Sequence, residues 1–239
     1  EHYKKAQHLQ LTDKLTVEIH GHTALLTINN PPANIWDADM LRGVKQLLEH
    51  LNEDKDIYAL VITGAGDKFF SAGADLKLFA NGDKALVRQM ARLFGEAFEA
   101  LSNYPGVTIA AINGYAMGGG LECALACDIR IAEEHALMAL PEATVGILPC
   151  AGGTQRLSWL VGEGWAKRMI LCGERVDAKT AERIRLIEEV APRGQAVIQA
   201  LQLAHKAAKQ SPIAVRAVKP LIQGARTQAP EHWLPAERE

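Results

Sequence analysis

The stretch from Ala110 to Leu157, AAINGYAMGGGLECALACDIRIAEEHALMALPEATVGILPCAGGTQRL, constrains the fold of this chain more than any other. Ile109 to Ile112 is a short apolar run that stops at the turn pair Asn113-Gly114. Gly118-Gly119-Gly120 then lead into Leu121-Glu122-Cys123-Ala124-Leu125-Ala126-Cys127. The pattern is strand, glycine turn, helix N-terminus. Glycines there let a ligand approach bare backbone, and the unpaired amides of a first helical turn, with the helix dipole, favour negative charge. Such a site suits an anion or an oxyanion. Glu122 falls in that first turn. Glu142 follows 20 positions later (142 − 122), after the strand-like run Leu137-Met138-Ala139-Leu140 and Pro141. Two carboxylates delivered to one glycine-rich pocket form a general acid/base pair in outline. Alone, a first-turn glutamate is often a dipole partner and a triple glycine often a tight turn. Their combination points to chemistry.

A second loop of the same kind precedes this stretch. Tyr58 to Thr63 is a near-continuous apolar run, as expected of a strand covered on both faces. It opens into Gly64-Ala65-Gly66-Asp67-Lys68-Phe69-Phe70-Ser71-Ala72-Gly73-Ala74-Asp75-Leu76, where small residues again leave the backbone bare. An amide from this loop would complete a two-amide oxyanion hole with Gly119. The Gly-Lys-Ser/Thr ending of a phosphate-binding P-loop is absent, and so is the glycine spacing of a dinucleotide fold.

The remaining elements read as support. Leu15–Ile19 and Ala24–Ile28 flank a glycine and predict a hairpin, ended by Asn29-Asn30-Pro31-Pro32. From Asp37, a plausible N-cap, apolar residues at three- and four-residue spacing predict a helix to about Leu51 or Asn52. Lys84–Leu101 is a second amphipathic helix. Helices are expected over Gly164–Leu171 and Ala178–Ile184, an extended segment over Leu186–Val190, and helices over Gln195–Lys209 and Pro212–Gln223, the last capped by Ser211. The expected division is a core over residues 1–192 and a C-terminal helical module over 193–239.

With 239 residues, 48% hydrophobic and 23% charged, the chain is long and apolar enough for a sizeable core. A net charge of −2 without a basic cluster shows no nucleic-acid footprint. The uncharged stretch Ala100–Leu121 is broken by Pro105, Asn103, Asn113 and five glycines, which argues against a membrane span. Cys123, Cys127, Cys150 and Cys172 lack zinc-site spacing and read as buried small apolar residues. No metal site is expected, and no histidine is expected to serve as the base. No signal peptide is evident at Glu1-His2-Tyr3-Lys4-Lys5, and the absent initiator methionine suggests a trimmed terminus. A reducing, cytoplasmic setting of bacterial type follows as an expectation.

Four motifs in order give the chain a family resemblance: Phe70-Ser71-Ala72-Gly73-Ala74-Asp75-Leu76-Lys77; Asn113-Gly114-Tyr115-Ala116-Met117-Gly118-Gly119-Gly120-Leu121-Glu122; Pro141-Glu142; and Ala151-Gly152-Gly153-Thr154-Gln155-Arg156-Leu157. Together they resemble the crotonase, or enoyl-CoA hydratase/isomerase, superfamily, and within it a hydratase, from about Leu15 to Pro220. The resemblance implies an α/β fold, a spiral of ββα turns with small perpendicular sheets, assembled as a trimer or a dimer of trimers. It implies that the amides of Ala74 and Gly119 hold a thioester carbonyl oxygen, where negative charge builds in the transition state. By the same resemblance Ala72, Asp75, Leu76 and Lys77 lie along the CoA chain, Ala33 lies at its adenine end, and Cys150 stands beside the catalytic water. Glu122 and Glu142 would hold that water between them. One ionised carboxylate would take its proton as oxygen attacks C3, with Glu142 the better candidate to protonate C2. The reaction would be reversible hydration of a trans-2-enoyl-CoA, with coenzyme A as part of the substrate and no metal or redox cofactor.

The other classes weighed are a double-bond isomerase, a decarboxylase or hydrolase of the same superfamily, and a non-catalytic or RNA-binding relative. The intact carboxylate pair disfavours the scaffold, and the absence of a lysine-rich helix disfavours RNA. Four positions depart from the family pattern: Cys150 for a glycine, Ala139-Leu140 for Gly-Gln, and Arg185 for a glycine, where a positive φ would be strained. The chain also stops at Glu239, before the helix that in the family covers the acyl pocket.

Overall fold

The computed structural model describes residues 11–77, 82–227 and 229–238; the reading of the first five residues falls outside them. Strands β1 (Leu15–His20) and β2 (Thr23–Ile28) form the expected hairpin. Helix α1 (Ala38–Glu53) follows, its first turn capped by Asp37, whose side chain accepts from the Met40 amide at 2.8 Å. Strands β3 (Ala59–Gly64) and β4 (Phe69–Ser71) precede helix α2 (Lys84–Asn103). The next turn of chain comprises β5 (Val107–Ile112), β6 (Tyr115–Met117) and α3 (Gly119–Ala126). After it come β7 (Ile129–Glu133), β8 (Leu137–Ala139), a 3-10 turn over Glu142–Val145, and α4 (Gly153–Leu171). Strand β9 (Val176–Asp177), α5 (Ala178–Arg183), β10 (Glu189–Ala191), α6 (Ala196–Ala208), α7 (Pro212–Gly224) and α8 (Pro230–Ala236) complete the chain.

The strands form two sheets, one of six in the order β1-β2-β3-β5-β7-β10 and one of four in the order β4-β6-β8-β9. Consecutive strands alternate between them: β3, β5 and β7 lie in the first sheet, and β4, β6 and β8, which follow each in turn, lie in the second. The chain thus advances as the ββα spiral that the resemblance implied. Within the larger sheet the pairs β2-β3, β3-β5, β5-β7 and β7-β10 are parallel. All six residues of β3 are buried, as its unbroken apolar run predicts.

One core lies between the sheets and helices α1 to α3. Met40, Leu41, Val44, Leu47, Leu48 and Leu51 of α1 are all buried, and burying each such side chain contributes about 1.5–3 kcal/mol. Trp36, Phe98 and Phe94 continue this core through edge-to-face contacts. On the other face of the large sheet, Ala196, Ala200 and Ala204 of α6 pack with Leu25, Val61, Ile109 and Ile131. Alanine at every fourth position lets the helix approach the strands closely.

Three expectations change. The helix expected from Gly164 begins at Gly153, and Gly162 (φ 82, ψ 167) breaks it into two segments, which obscured its period. The expected extended segment from Leu186 narrows to Glu189–Ala191. The amides of Leu186 and Ile187 are taken by the Ala181 carbonyl, at 2.8 and 3.3 Å, closing the end of α5 rather than pairing with a strand. Of the four cysteines only Cys123 and Cys127 are buried; Cys150 borders a cavity and Cys172 lies at the end of α4, both exposed. Arg185 does adopt the left-handed conformation anticipated for it, at φ 68.

Candidate active site

The two glycine loops meet because their backbones leave no room for side chains between them. Gly73 has φ 90, and a Cβ on it would fall 2.8 Å from the Gly119 amide nitrogen and 2.9 Å from the Met117 carbonyl. The first loop is held from behind by the chain before α1: the Trp36 amide donates to the Gly73 carbonyl at 2.7 Å, and the Ala72 amide to the Ala33 carbonyl at 2.9 Å. Asn34 and Asn113 both donate to the Phe69 carbonyl, at 3.0 Å each, fixing the loop's entry. Gly119 supplies the first amide of α3, one that helical hydrogen bonding leaves unpaired.

Every residue of α3 is buried, Glu122 included, at 3% exposure. Its Oε2 accepts from the Ala151 amide at 2.7 Å and the Gly153 amide at 3.0 Å, both in the turn that starts α4. Burial raises the Glu122 pKa, while those two amides and the charge of Arg156 oppose the rise. The opposite end of α3 is held by Arg130, which donates to the Ala124 and Cys127 carbonyls at 3.1 and 2.7 Å and pairs with Glu188 at 2.7 Å. A cation at that end also complements the helix dipole.

Glu142 arrives from the neighbouring strand. β6 and β8 are paired in parallel, Met117 opposite Ala139, and the Gly118 amide donates to the Ala139 carbonyl at 3.0 Å. Ala139 and Leu140 are both fully buried. Beyond Pro141 the 3-10 turn sets Glu142 Oε1 over Gly118. Glu142 Oε2 is buried with no hydrogen-bond partner. Burial, and secondarily the charge of Glu122, lift the Glu142 pKa to about 7. The two carboxylates thus differ: one is held by two amides, the other leaves a buried oxygen without a partner and retains its proton near neutrality.

Both face a cavity of about 850 Å³. Ala72, Ala74, Asp75, Leu76, Lys77, Gly119 and Cys150 line it with them, so the sequence reading located its wall. Ala33 lies outside that lining, its carbonyl accepting from the Ala72 amide, and Ile35 is part of the lining.

A family model described as enoyl-CoA hydratase/isomerase matches residues 18–238. The chain belongs to that family. Among its relatives, the 2,3-dehydroadipyl-CoA hydratase of Escherichia coli K12 is 39% identical over 227 residues, 95% of this chain and 88% of that protein. The crystal structure of an enoyl-CoA hydratase from Bacillus anthracis superposes with a TM-score of 0.91 at 37% identity, covering 95% of this chain and 88% of that one. The structure of Pseudomonas aeruginosa DspI superposes at 0.96 with 72% identity, covering 98% and 96%.

For a member of the enoyl-CoA hydratase/isomerase family, the cavity has walls that the motifs did not announce. Val87, Ala91 and Phe94 of α2 line it at helical spacing, opposite Val145, Ile147 and Leu148 beyond the 3-10 turn, and Arg175 adds a cation. For Val87, Ala91 and Phe94 the sequence signal was the apolar stripe of α2, which reads as core. His135, the one histidine in the sequence between residues 110 and 157, is engaged elsewhere: its Nε2 lies 2.9 Å from both the Asp67 and Asn113 carbonyls. Among the described residues no group of three or more His, Cys, Asp or Glu could hold a metal ion, and no helix is long and apolar enough to cross a membrane.

Proposed function

We propose that this enzyme is an enoyl-CoA hydratase that adds water reversibly and syn across the double bond of a trans-2-enoyl-CoA, giving a 3-hydroxyacyl-CoA in acyl-CoA degradation. The amides of Ala74 and Gly119 donate hydrogen bonds to the thioester oxygen and stabilise the charge that develops there. Glu122, ionised and held by two amides, takes a proton from water as its oxygen bonds to C3. Glu142, protonated near neutrality, gives its proton to C2. After the reaction Glu122 carries the proton and Glu142 the charge, so solvent exchange restores the pair. The unlike surroundings of the two carboxylates carry this reading.

The CoA chain passes along Ala72 and Asp75–Lys77, and Cys150 borders the water. Coenzyme A belongs to the substrate, and the reaction draws on no metal or redox group. A homotrimer or dimer of trimers in the cytoplasm completes the proposal. Exposed apolar side chains on α7, Ile213 and Ile222, support self-association, and free cysteines support a reducing compartment.

The test is the loss of enoyl absorbance on mixing the protein with crotonyl-CoA, repeated with Glu122→Gln. Fast loss in the wild type and a drop of at least about a hundredfold in the variant, with CoA-ester binding kept, is the expected outcome. Wild-type protein that binds the ester yet only moves a 3-double bond to position 2 would replace the hydratase reading with the isomerase one.

A further inference from the structure

Glu122 owes its two hydrogen bonds to a three-residue turn, Ala151-Gly152-Gly153, and that turn has its own clamp. Arg156 Nη1 donates to the Ala151 carbonyl at 3.1 Å. Gly152 has φ 92, and a Cβ on it would collide with the same guanidinium, so Arg156 occupies the space that the missing side chain leaves. Ala151 is thereby gripped on both sides of one residue, its carbonyl by Arg156 and its amide by Glu122 at 2.7 Å. The position is electrostatically awkward for the helix itself. Arg156 is the fourth residue of α4, where a cation opposes the dipole, so helix stability does not account for it.

We propose that Arg156 is a positioning residue for hydration: it fixes the 151–153 turn so that both amides stay on Glu122 Oε2 and keep that carboxylate aimed and ionised. The proposal rests on Glu122 being the base of the preceding section only for its consequence in catalysis, not for its consequence in Glu122 itself. The charged and titratable groups around the pair are few. Glu99 of α2, Glu122 of α3, Cys127 and Arg226 face Arg156, and Glu142 and Cys150 face Glu122. Burial of Arg156 and the charge of Arg226 weaken its hold on its proton, while Glu99 and Glu122 strengthen it, and it remains a cation throughout the working range.

The measurement is the titration of the Glu122 carboxyl by carbon NMR of glutamate-labelled protein, assigned by its loss in Glu122→Gln, alongside the pH profile of crotonyl-CoA hydration. Arg156→Gln should bind the Glu122 proton at least about tenfold more tightly, moving the acid limb of kcat/KM upward by the same factor and lowering kcat more than it changes KM. Arg156→Lys keeps the charge without the planar fork and should restore part of both shifts. A folded Arg156→Gln protein with the wild-type Glu122 titration would overturn the proposal whatever its activity. If Glu122 shifts as expected but the wild type does not hydrate, the hydratase reading fails while the role of Arg156 stands.

Discussion

Glu142 Oε1 rests against the backbone of Gly118, so that a Cβ on Gly118 would lie 2.9 Å from it. Gly118 is therefore required twice, for its conformation (φ 54, ψ −124) and for the space it leaves beneath the carboxylate. Gly118→Ala should displace Glu142 and add about 1–3 kcal/mol of backbone strain. We expect hydration to fall by about a hundredfold or more, together with a lower Tm. An unchanged kcat in calorimetrically destabilised protein would mean that Glu142 does not depend on this contact.

The burial of Glu142 makes stability, like activity, fall as pH rises through about 7. Folding raises its pKa from 4.5 to about 7, so the folded state holds that proton more tightly than the unfolded chain. The stability this contributes is fully present below the unfolded value and is lost as pH rises through about 7. Glu142→Gln, which cannot ionise, escapes that loss. It should be nearly inactive, yet more stable than wild type at about pH 8 by on the order of 1–3 kcal/mol, a gain absent at about pH 4. Urea unfolding of both proteins at the two pH values measures this directly.

In catalysis the same proton sets the alkaline limit. Hydration needs one proton on the pair, on Glu142 when water attacks, so kcat/KM should fall as pH rises through about 7. The midpoint belongs to the coupled pair rather than to one residue, because the charge of Glu122 contributes to it. A profile flat from about pH 6 to pH 9, once substrate hydrolysis is subtracted, would remove Glu142 as the donor.

What the sequence revealed and what it concealed divide along the reach of the interactions. α1 and α2 were legible because their apolar residues repeat with the helical period, and each buries the face so marked. Glu122, Glu142, Ala74 and Gly119 were legible because glycine-rich backbone leaves a local trace. Arg130 left none: its partners, Ala124, Cys127, Leu186 and Glu188, lie up to 58 positions away, and a lone arginine in an apolar strand has no motif. Ala33 meets the first glycine loop through its backbone carbonyl, which accepts from the Ala72 amide, a contact without a side-chain signature.

Arg130 should accordingly be a determinant of folding. It is 2% exposed and bonds three buried carbonyls besides Glu188. Arg130→Met would leave those carbonyls without partners and Glu188 without its cation, at a cost of about 3–5 kcal/mol. Glu188→Gln should cost far less, because Glu188 is 43% exposed and water can replace the arginine's partner there. Chemical denaturation of the two variants separates the effects, and equal losses would contradict the view that the carbonyls of α3 are what Arg130 secures.

Arg185 offers the converse case, a position where a substitution should help. It sits at φ 68 immediately after α5, with its amide donating to the Glu182 carbonyl at 3.1 Å, and its side chain is exposed. A left-handed conformation costs a residue with a Cβ about 1–2 kcal/mol, and glycine is free of that cost. Glycine gains more freedom in the unfolded chain, which offsets about half of the benefit. The net expectation for Arg185→Gly is therefore a gain of about 0.5–1 kcal/mol. For a domain of this size that is a rise in Tm of about 1–4 °C, with crotonyl-CoA hydration unchanged because residue 185 does not line the cavity. A lower Tm would show that the Arg185 side chain makes a stabilising contact worth more than the strain it imposes.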